Sequence, residues 1–443
     1  MLSQTSINGI MDTISYFKEQ LNQLPQTQPA ALARIRQEAA DAFVQQGIPA
    51  TRHEEWKYTR ISSLFNKGFE WPVNQSATAV GEDQMQALRL PGSEKANELV
   101  FVNGRFSKEL SVIRSKDLTV LSLEEAAAGE FEPLIAAHLG HSSDYLKDGI
   151  HAMNTAFMQG AVFVHVAKNK IIAEPVYAYH ITDARAANSL SLPRSLVYIS
   201  QAAELHWVET FHTLGMQESF TNQVVEMVAE KDARLFYYKI QHDAPHTNLV
   251  STTHIRQIGQ CYTYAVTISL DGHIVRNNTH VVMEAEHGEA HLYGLYFLNG
   301  NTHVDNHTIV DNAKPHCYSN ELYKGVVGDS ATGVFNGKIF VRQDAQKINA
   351  YQSNKNIILS DAASVNTKPQ LEIFADDVKC SHGCTIGRLD EEGLFYLQSR
   401  GIPAKLAQSL LLHGFTSDIL EKIKLDVIRD YADQLISQRL ELL

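Results

Sequence analysis

Tyr262-Thr263-Tyr264-Ala265-Val266-Thr267-Ile268 is the stretch on which the fold class turns. All but Ala265 are aromatic or β-branched, residue types that fit a pleated, half-buried surface. The chain repeats this texture on either side. Val162-Phe163-Val164-His165-Val166, Leu196-Val197-Tyr198-Ile199 and Leu235-Phe236-Tyr237-Tyr238 precede it; Lys338-Ile339-Phe340-Val341 and Ile357-Ile358-Leu359 follow. Gly, Asn and Asp punctuate the runs, and few helical stripes between them are long enough to compete. The strand–helix alternation of a doubly wound sheet is missing. A sandwich, a barrel and a β-solenoid all fit the pattern. The region, 151–388, is longer than an ordinary sandwich, and closely spaced short strands favour a solenoid whose coils share one core, although no fixed-period repeat is visible.

Helical patterning flanks this region. Within 1–150, Ile10, Ile14, Phe17 and Leu21 recur at helical spacing, and Leu32, Ile35, Ala39 and Phe43 line one face of a helix from Pro29. Gly47-Ile48-Pro49 stops that helix. Leu99-Val100-Phe101-Val102 reads as a strand running into Asn103-Gly104, a pair suited to the positive φ angles of a tight turn. Residues 389–443 are helical again. Asp390 caps a helix to Arg400, Gly401-Ile402-Pro403 breaks it, a second helix ends near Gly414, and Ser417 starts a third carrying Ile419, Ile423 and Val427. So small a unit must dock on the β core, on a partner, or on both. The expected architecture is mainly β with helical ends.

The 443 residues carry 38 Lys+Arg against 50 Asp+Glu, a net charge of −12, which argues against a nucleic-acid binder acting through phosphate neutralisation. No apolar stretch reaches the roughly 20 residues needed to cross a bilayer. Met1-Leu2-Ser3-Gln4-Thr5 lacks the basic region and apolar core of a signal peptide. Four cysteines make no disulfide framework and read as reduced thiols, so a cytoplasmic location is expected.

Enzyme motifs find little foothold. Gly333-Val334-Phe335-Asn336-Gly337-Lys338-Ile339 superficially resembles a phosphate loop, but one residue too few separates the glycines and Ile339 stands where Ser or Thr would hold magnesium. There is no Gly-x-Gly-x-x-Gly, Gly-x-Ser-x-Gly or His-Glu-x-x-His. The densest polar signal is Asp376-Asp377-Val378-Lys379-Cys380-Ser381-His382-Gly383-Cys384. On a strand, residues two apart share a face, so Cys380, His382 and Cys384 would present thiolate, imidazole and thiolate together, a set suited to zinc, iron or an iron–sulfur species. Equally, the two cysteines fit as small buried hydrophobes, with His382 as a hydrogen-bonded turn residue. His287, Glu289 and His291, and likewise His303, Asp305 and His307, would each make a two-histidine, one-carboxylate face of the kind non-haem iron uses; the wet face of a sheet accounts for both sets more simply. His316-Cys317 is similarly ambiguous. Arg52-His53-Glu54-Glu55-Trp56-Lys57-Tyr58-Thr59 reads as a docking element with Trp56 and Tyr58 as anchors under a charged rim.

Taken together these segments resemble the SufB/SufD family of iron–sulfur cluster assembly proteins, and its SufD branch most closely. The resemblance rests on residues 52–59, on Phe101-Val102-Asn103-Gly104-Arg105-Phe106 and on Asn154-Thr155-Ala156-Phe157. It is strongest in Val334 to Ile339, Lys368-Pro369-Gln370-Leu371-Glu372-Ile373, Asp376 to Gly383 and Leu394 to Ile402. It implies a right-handed parallel β-helix core at 151–388, an N-terminal helical and mixed region at 1–150 and a C-terminal helical region at 389–443. It implies a non-enzymatic scaffold subunit that helps acquire iron and build a nascent cluster. It further implies a SufC-type ATPase docked on the C-terminal helices, so that ATP is handled in trans, and a SufB-type paralogue paired through the β-helix; a homodimer is also conceivable. His382 is the implied ligand of iron or of a transient iron–sulfur cluster shared with a cysteine of the paralogue. Cys380 is the implied auxiliary thiol. Cys384 stands where Ala is more usual and is a candidate extra ligand, while Ile348 and Asn312 replace the more common Thr and His. Two other readings stay in view: a metal-dependent enzyme using a histidine face, and a purely structural adaptor for the ATPase.

Overall fold

A computed structural model describes residues 15–24, 29–70 and 80–442. Ile10 and Ile14, half of the first expected stripe, lie outside these residues. Phe17 and Leu21 sit on a helix over 15–22, with Phe17 edge-on to Phe43 of the Ala30–Gln46 helix. The second stripe is as expected: Leu32 and Phe43 are fully buried, and the helix ends at Gly47, whose φ of 63° only glycine adopts freely.

The centre of the chain is a β-solenoid of about 8 turns over 162–387. Each turn lays one strand into each of two facing parallel sheets, so the row Arg234–Gln241 pairs in register with Tyr262–Ser269, and that with Glu289–Leu298. The coil length drifts: Tyr262 pairs with Glu289, 27 residues on, but Ile348 with Val378, 30 on. That drift hides the repeat from a fixed-period reading.

The two ends of the stack differ. At the N-terminal end, Asn103 (φ 48°) and Gly104 (φ 80°) close a hairpin between Asn97–Val102 and Arg105–Val112. Its first strand extends one sheet, and Leu118–Ser122 joins the other sheet antiparallel to Val162–Val166. At the C-terminal end, Ser364–Ile373 and Val378–Gly387 are the outermost strands of their sheets.

The Glu391–Ser399, Ala404–Leu420 and Asp426–Glu441 helices fold back on the outer face of one sheet. Leu412, Ile419, Ile428, Ala432 and Ile436 are fully buried there against Val266, Ile268, Leu295 and Phe297; each large aliphatic side chain so buried contributes about 1.5–3 kcal/mol. Lys324 Nζ donates to the Phe415 carbonyl at 2.8 Å and to Asp418 at 2.5 Å. The expected break near Gly414 is corrected: the helix continues to Leu420 and the turn falls after it. Ser417 does not cap, because its hydroxyl donates back to the His413 carbonyl at 2.7 Å within the same helix. Among the described residues no helix is long and apolar enough to cross a membrane.

Candidate functional site

The Cys380-Ser381-His382-Gly383-Cys384 stretch lies in the outermost strand, Val378–Gly387. Its Cα partners are Ala350, Gln352 and Asn354 for Cys380, His382 and Cys384 respectively. All three partners are buried and face the solenoid interior, so the three residues continue inward-facing rows beyond the last covered coil. Cys380 is half-buried against the interior core, and burial pushes its thiol up. His382 and Cys384 are exposed. Among the described residues no group of three or more histidine, cysteine or acidic side chains is arranged to hold a metal ion. The other two thiols are different in kind: burial raises Cys261 to about 12 and Cys317 to about 11, leaving them protonated and inert.

The interior below this mouth is polar in a way the sequence reading missed. Glu209 and Lys239 are Cα partners in neighbouring coils and essentially unexposed. Glu209 accepts from Tyr237 at 2.5 Å and Gln223 at 3.1 Å, with His180 Nε2 at 2.7 Å; Lys239 donates to Ser251 at 2.7 Å. Burial brings the Lys239 ammonium down to about 8 against the pull of Glu209. Further along, Glu321, Gln352 and His382 occupy one row in three successive coils. Burial pushes the Glu321 carboxyl up to about 7, opposed by Thr308 and Gln352. Glycines make room for the bulk: a Cβ at Gly294 would lie 2.1 Å from the Tyr323 ring, and one at Gly325 2.2 Å from that of Tyr296. The legible signal was parity, since Glu209 shares a strand face with Leu205, Trp207 and Phe211, and Lys239 with Leu235 and Tyr237.

The expected histidine faces do not form open metal sites. His303, Asp305 and His307 share an outer face, but it is neither open to a metal nor wet: Asp305 is 1% exposed, because residues 52–59 cover it. Thr59 Oγ1 donates to Asp305 at 2.5 Å and lies 2.9 Å from His303 Nε2. Arg276 donates to Asp305 at 3.1 Å and stacks 4.0 Å over Trp56, and His307 lies 3.0 Å from Asp305 and 3.4 Å from Glu55. Burial works to raise the Asp305 carboxyl, but His307 and Arg276 hold it well below its ordinary value. Trp56 is the anchor that was expected, whereas Tyr58 is exposed and is not one. The charged rim is real: Glu54 pairs with Lys368, and Glu55 lies 3.5 Å from Lys338. In the other set His291 lies 2.7 Å from Glu289, but His287 sits in the preceding turn with φ 60° and stacks on His316 at 4.9 Å.

Comparison with known proteins gives the family. Residues 180–415 match the model described as SUF system FeS cluster assembly, SufBD core domain, and residues 9–177 match the SufBD protein N-terminal region. An iron–sulfur cluster assembly SufBD family protein of Synechocystis is 31% identical over 93% of this chain and 92% of its own length. The iron–sulfur cluster assembly protein SufD of Escherichia coli is 29% identical over 91% and 92%, and a chloroplastic protein of Arabidopsis thaliana, ABCI7, is 27% identical over 90% and 84%. The chain belongs to the SufBD family of iron–sulfur cluster assembly proteins.

Proposed function

We propose that this chain is a non-enzymatic scaffold subunit, of the SufD kind, in a complex with a SufB-type paralogue and a SufC-type ATPase. His382 supplies an imidazole to incoming iron or to the nascent cluster, a SufB-type cysteine supplies the sulfur ligand, and Cys380 assists. The observation that carries this reading is the position of His382: exposed, on the outermost strand, at the mouth of the interior, where a second solenoid can meet it. An outermost strand offers unpaired backbone groups for a partner strand. Phe374, Ile386 and Tyr351, all exposed around the same end, add apolar area to that contact. Iron and sulfide are the cargo here.

Phe395, Tyr396, Leu406 and Leu410 are exposed on the C-terminal helices and support docking of the ATPase on that side. Four unpaired cysteines, one of them exposed at the mouth, suit a reducing compartment such as the cytoplasm. Anaerobic reconstitution with both partners, ferrous iron and sulfide tests the reading. His382→Ala is expected to abolish most cluster formation without dissociating the complex; unchanged yield would remove His382 from the site.

A further inference from the structure

The row beneath His382 contains an acceptor that nothing in the chain satisfies. Gln352 is 3% exposed, and its Oε1 has no hydrogen-bond partner. Its Nε2 donates to Glu321 Oε2 at 2.7 Å. The amide nitrogen only donates, and it is the nitrogen that sits against Glu321, so the NH2 is spent on the carboxyl and the oxygen is left for another donor. The opposite sheet confines the amide further, since a Cβ at Gly337 would come within 2.4 Å of Gln352 Nε2. The residue one rung outward on the same face is His382, its Cα partner, about 4.8 Å away along the stack. In the free chain the imidazole is exposed, and the buried oxygen is unmet.

Resting on the reading of His382 as an iron or cluster ligand, we propose that Gln352, oriented by Glu321, is the positioning residue for that imidazole. When a partner closes over the mouth, one ring N–H of His382 donates to Gln352 Oε1. That bond fixes the tautomer and the ring plane and leaves the other nitrogen with its lone pair outward, as a metal ligand requires. The Glu321–Gln352–His382 row then extends the interior hydrogen bonding into the site. A buried carbonyl oxygen without a donor is costly, so the same bond favours the closed arrangement.

The test is a double-mutant cycle in the reconstituted three-protein complex, supplied with ferrous iron and sulfide. Gln352→Met keeps the volume and removes the acceptor. It is expected to lower the initial rate of cluster formation by about tenfold or more, the usual effect of removing the group that orients a metal-ligating histidine. On a His382→Ala background the same change is expected to do nothing further. The exchange variant, Glu321→Gln with Gln352→Glu, restores a donor–acceptor pair and presents a carboxylate to His382, so it is expected to recover most of the rate. Equal losses from Gln352→Met with and without His382 would overturn the proposal, as would an exchange variant that assembles normally but stays as slow as Gln352→Met. Should His382→Ala alone leave the rate unchanged, it is the reading of the site that fails. Should His382→Ala matter while Gln352→Met in a normally melting complex does not, the positioning role alone is refuted.

Discussion

The first and last coils of the solenoid are built from the same kind of strand, yet one end is sealed and the other bare. At the sealed end two antiparallel strands extend the sheets, and the N-terminal helices cover an outer face. A buried ion pair secures the cover. Arg194 and Glu226 meet at 2.7 Å with essentially no exposure, and Glu226 also accepts from the Ser142 hydroxyl at 2.6 Å and the backbone of Gly140 and Ser142 at 2.9 and 2.8 Å. At the bare end, the Val378–Gly387 strand is mostly exposed and His382 makes no such bond. Covering elements are concentrated where the stack begins, and exposed strand where it stops. The proposed scaffold role, in which contacts are traded with partners and cargo, would need that division.

Breaking the sealed end should produce the largest loss. Glu226→Ala leaves the Arg194 guanidinium buried without its carboxylate and frees two backbone donors. Removing one partner of such a pair costs about 3–5 kcal/mol. Denaturant unfolding should report the loss, and limited proteolysis should show early cutting around 140–157.

Acid probes the same end without mutation. Burial opposes ionisation of Glu226, but Arg194 and the Ser142 and Gly140 donors bring its carboxyl down to about 2. Its contribution is therefore present above the ordinary carboxylate value of 4.5 and is lost as pH falls toward 2. Burial, assisted by Arg194, lowers His151 to about 4, and burial lowers His254 to about 3. The unfolded chain protonates these imidazoles below 6.5 while the fold resists, so their contribution drains between 6.5 and the folded values. Both terms have the same sign. Unfolding free energy should decline from pH 6.5 to 3, more gently above 4.5, where protonation of the buried Glu321 carboxyl favours the fold, with the N-terminal region exchanging its amides first; a flat profile would contradict the geometry.

Smaller effects test the middle and the bare end. Gly294→Ala drives a methyl into the Tyr323 ring and should cost about 1–3 kcal/mol by overpacking, seen as a lower melting midpoint. His382→Ala should change stability by less than about 0.5 kcal/mol, since the ring is exposed, while removing cluster formation. A mutation silent in a melt and decisive in reconstitution would sharpen the contrast between the two ends more than any of the others.

Much of the fold is legible in the sequence, but the contrast between its two ends is not. The aromatic and β-branched runs gave strands, Asn103-Gly104 gave the hairpin, and Gly47 gave a helix stop, because each is a local decision of backbone sterics. Gly414 and Ser417 misled for the converse reason: packing of Leu412, Ile419 and Leu420 on the sheet outweighs the low helix propensity of one glycine, worth about 1 kcal/mol. His303, Asp305 and His307 alternate as a metal face or a wet face would, and only the distant segment at 52–59 makes them a clamp. The interior row at Glu321 and Gln352 was illegible because its partners lie 31 and 30 residues apart along a drifting repeat.

The amides, hydroxyls and charges enclosed by the coils have a thermal consequence. Unfolding hydrates Glu209, Lys239, Glu321, Gln352 and Asn354 together with the aliphatic rows beside them. Polar hydration lowers heat capacity where apolar hydration raises it. The increment per residue should therefore fall below that of a purely aliphatic stack of equal length, flattening the stability curve so that the protein weakens gradually on both cooling and warming.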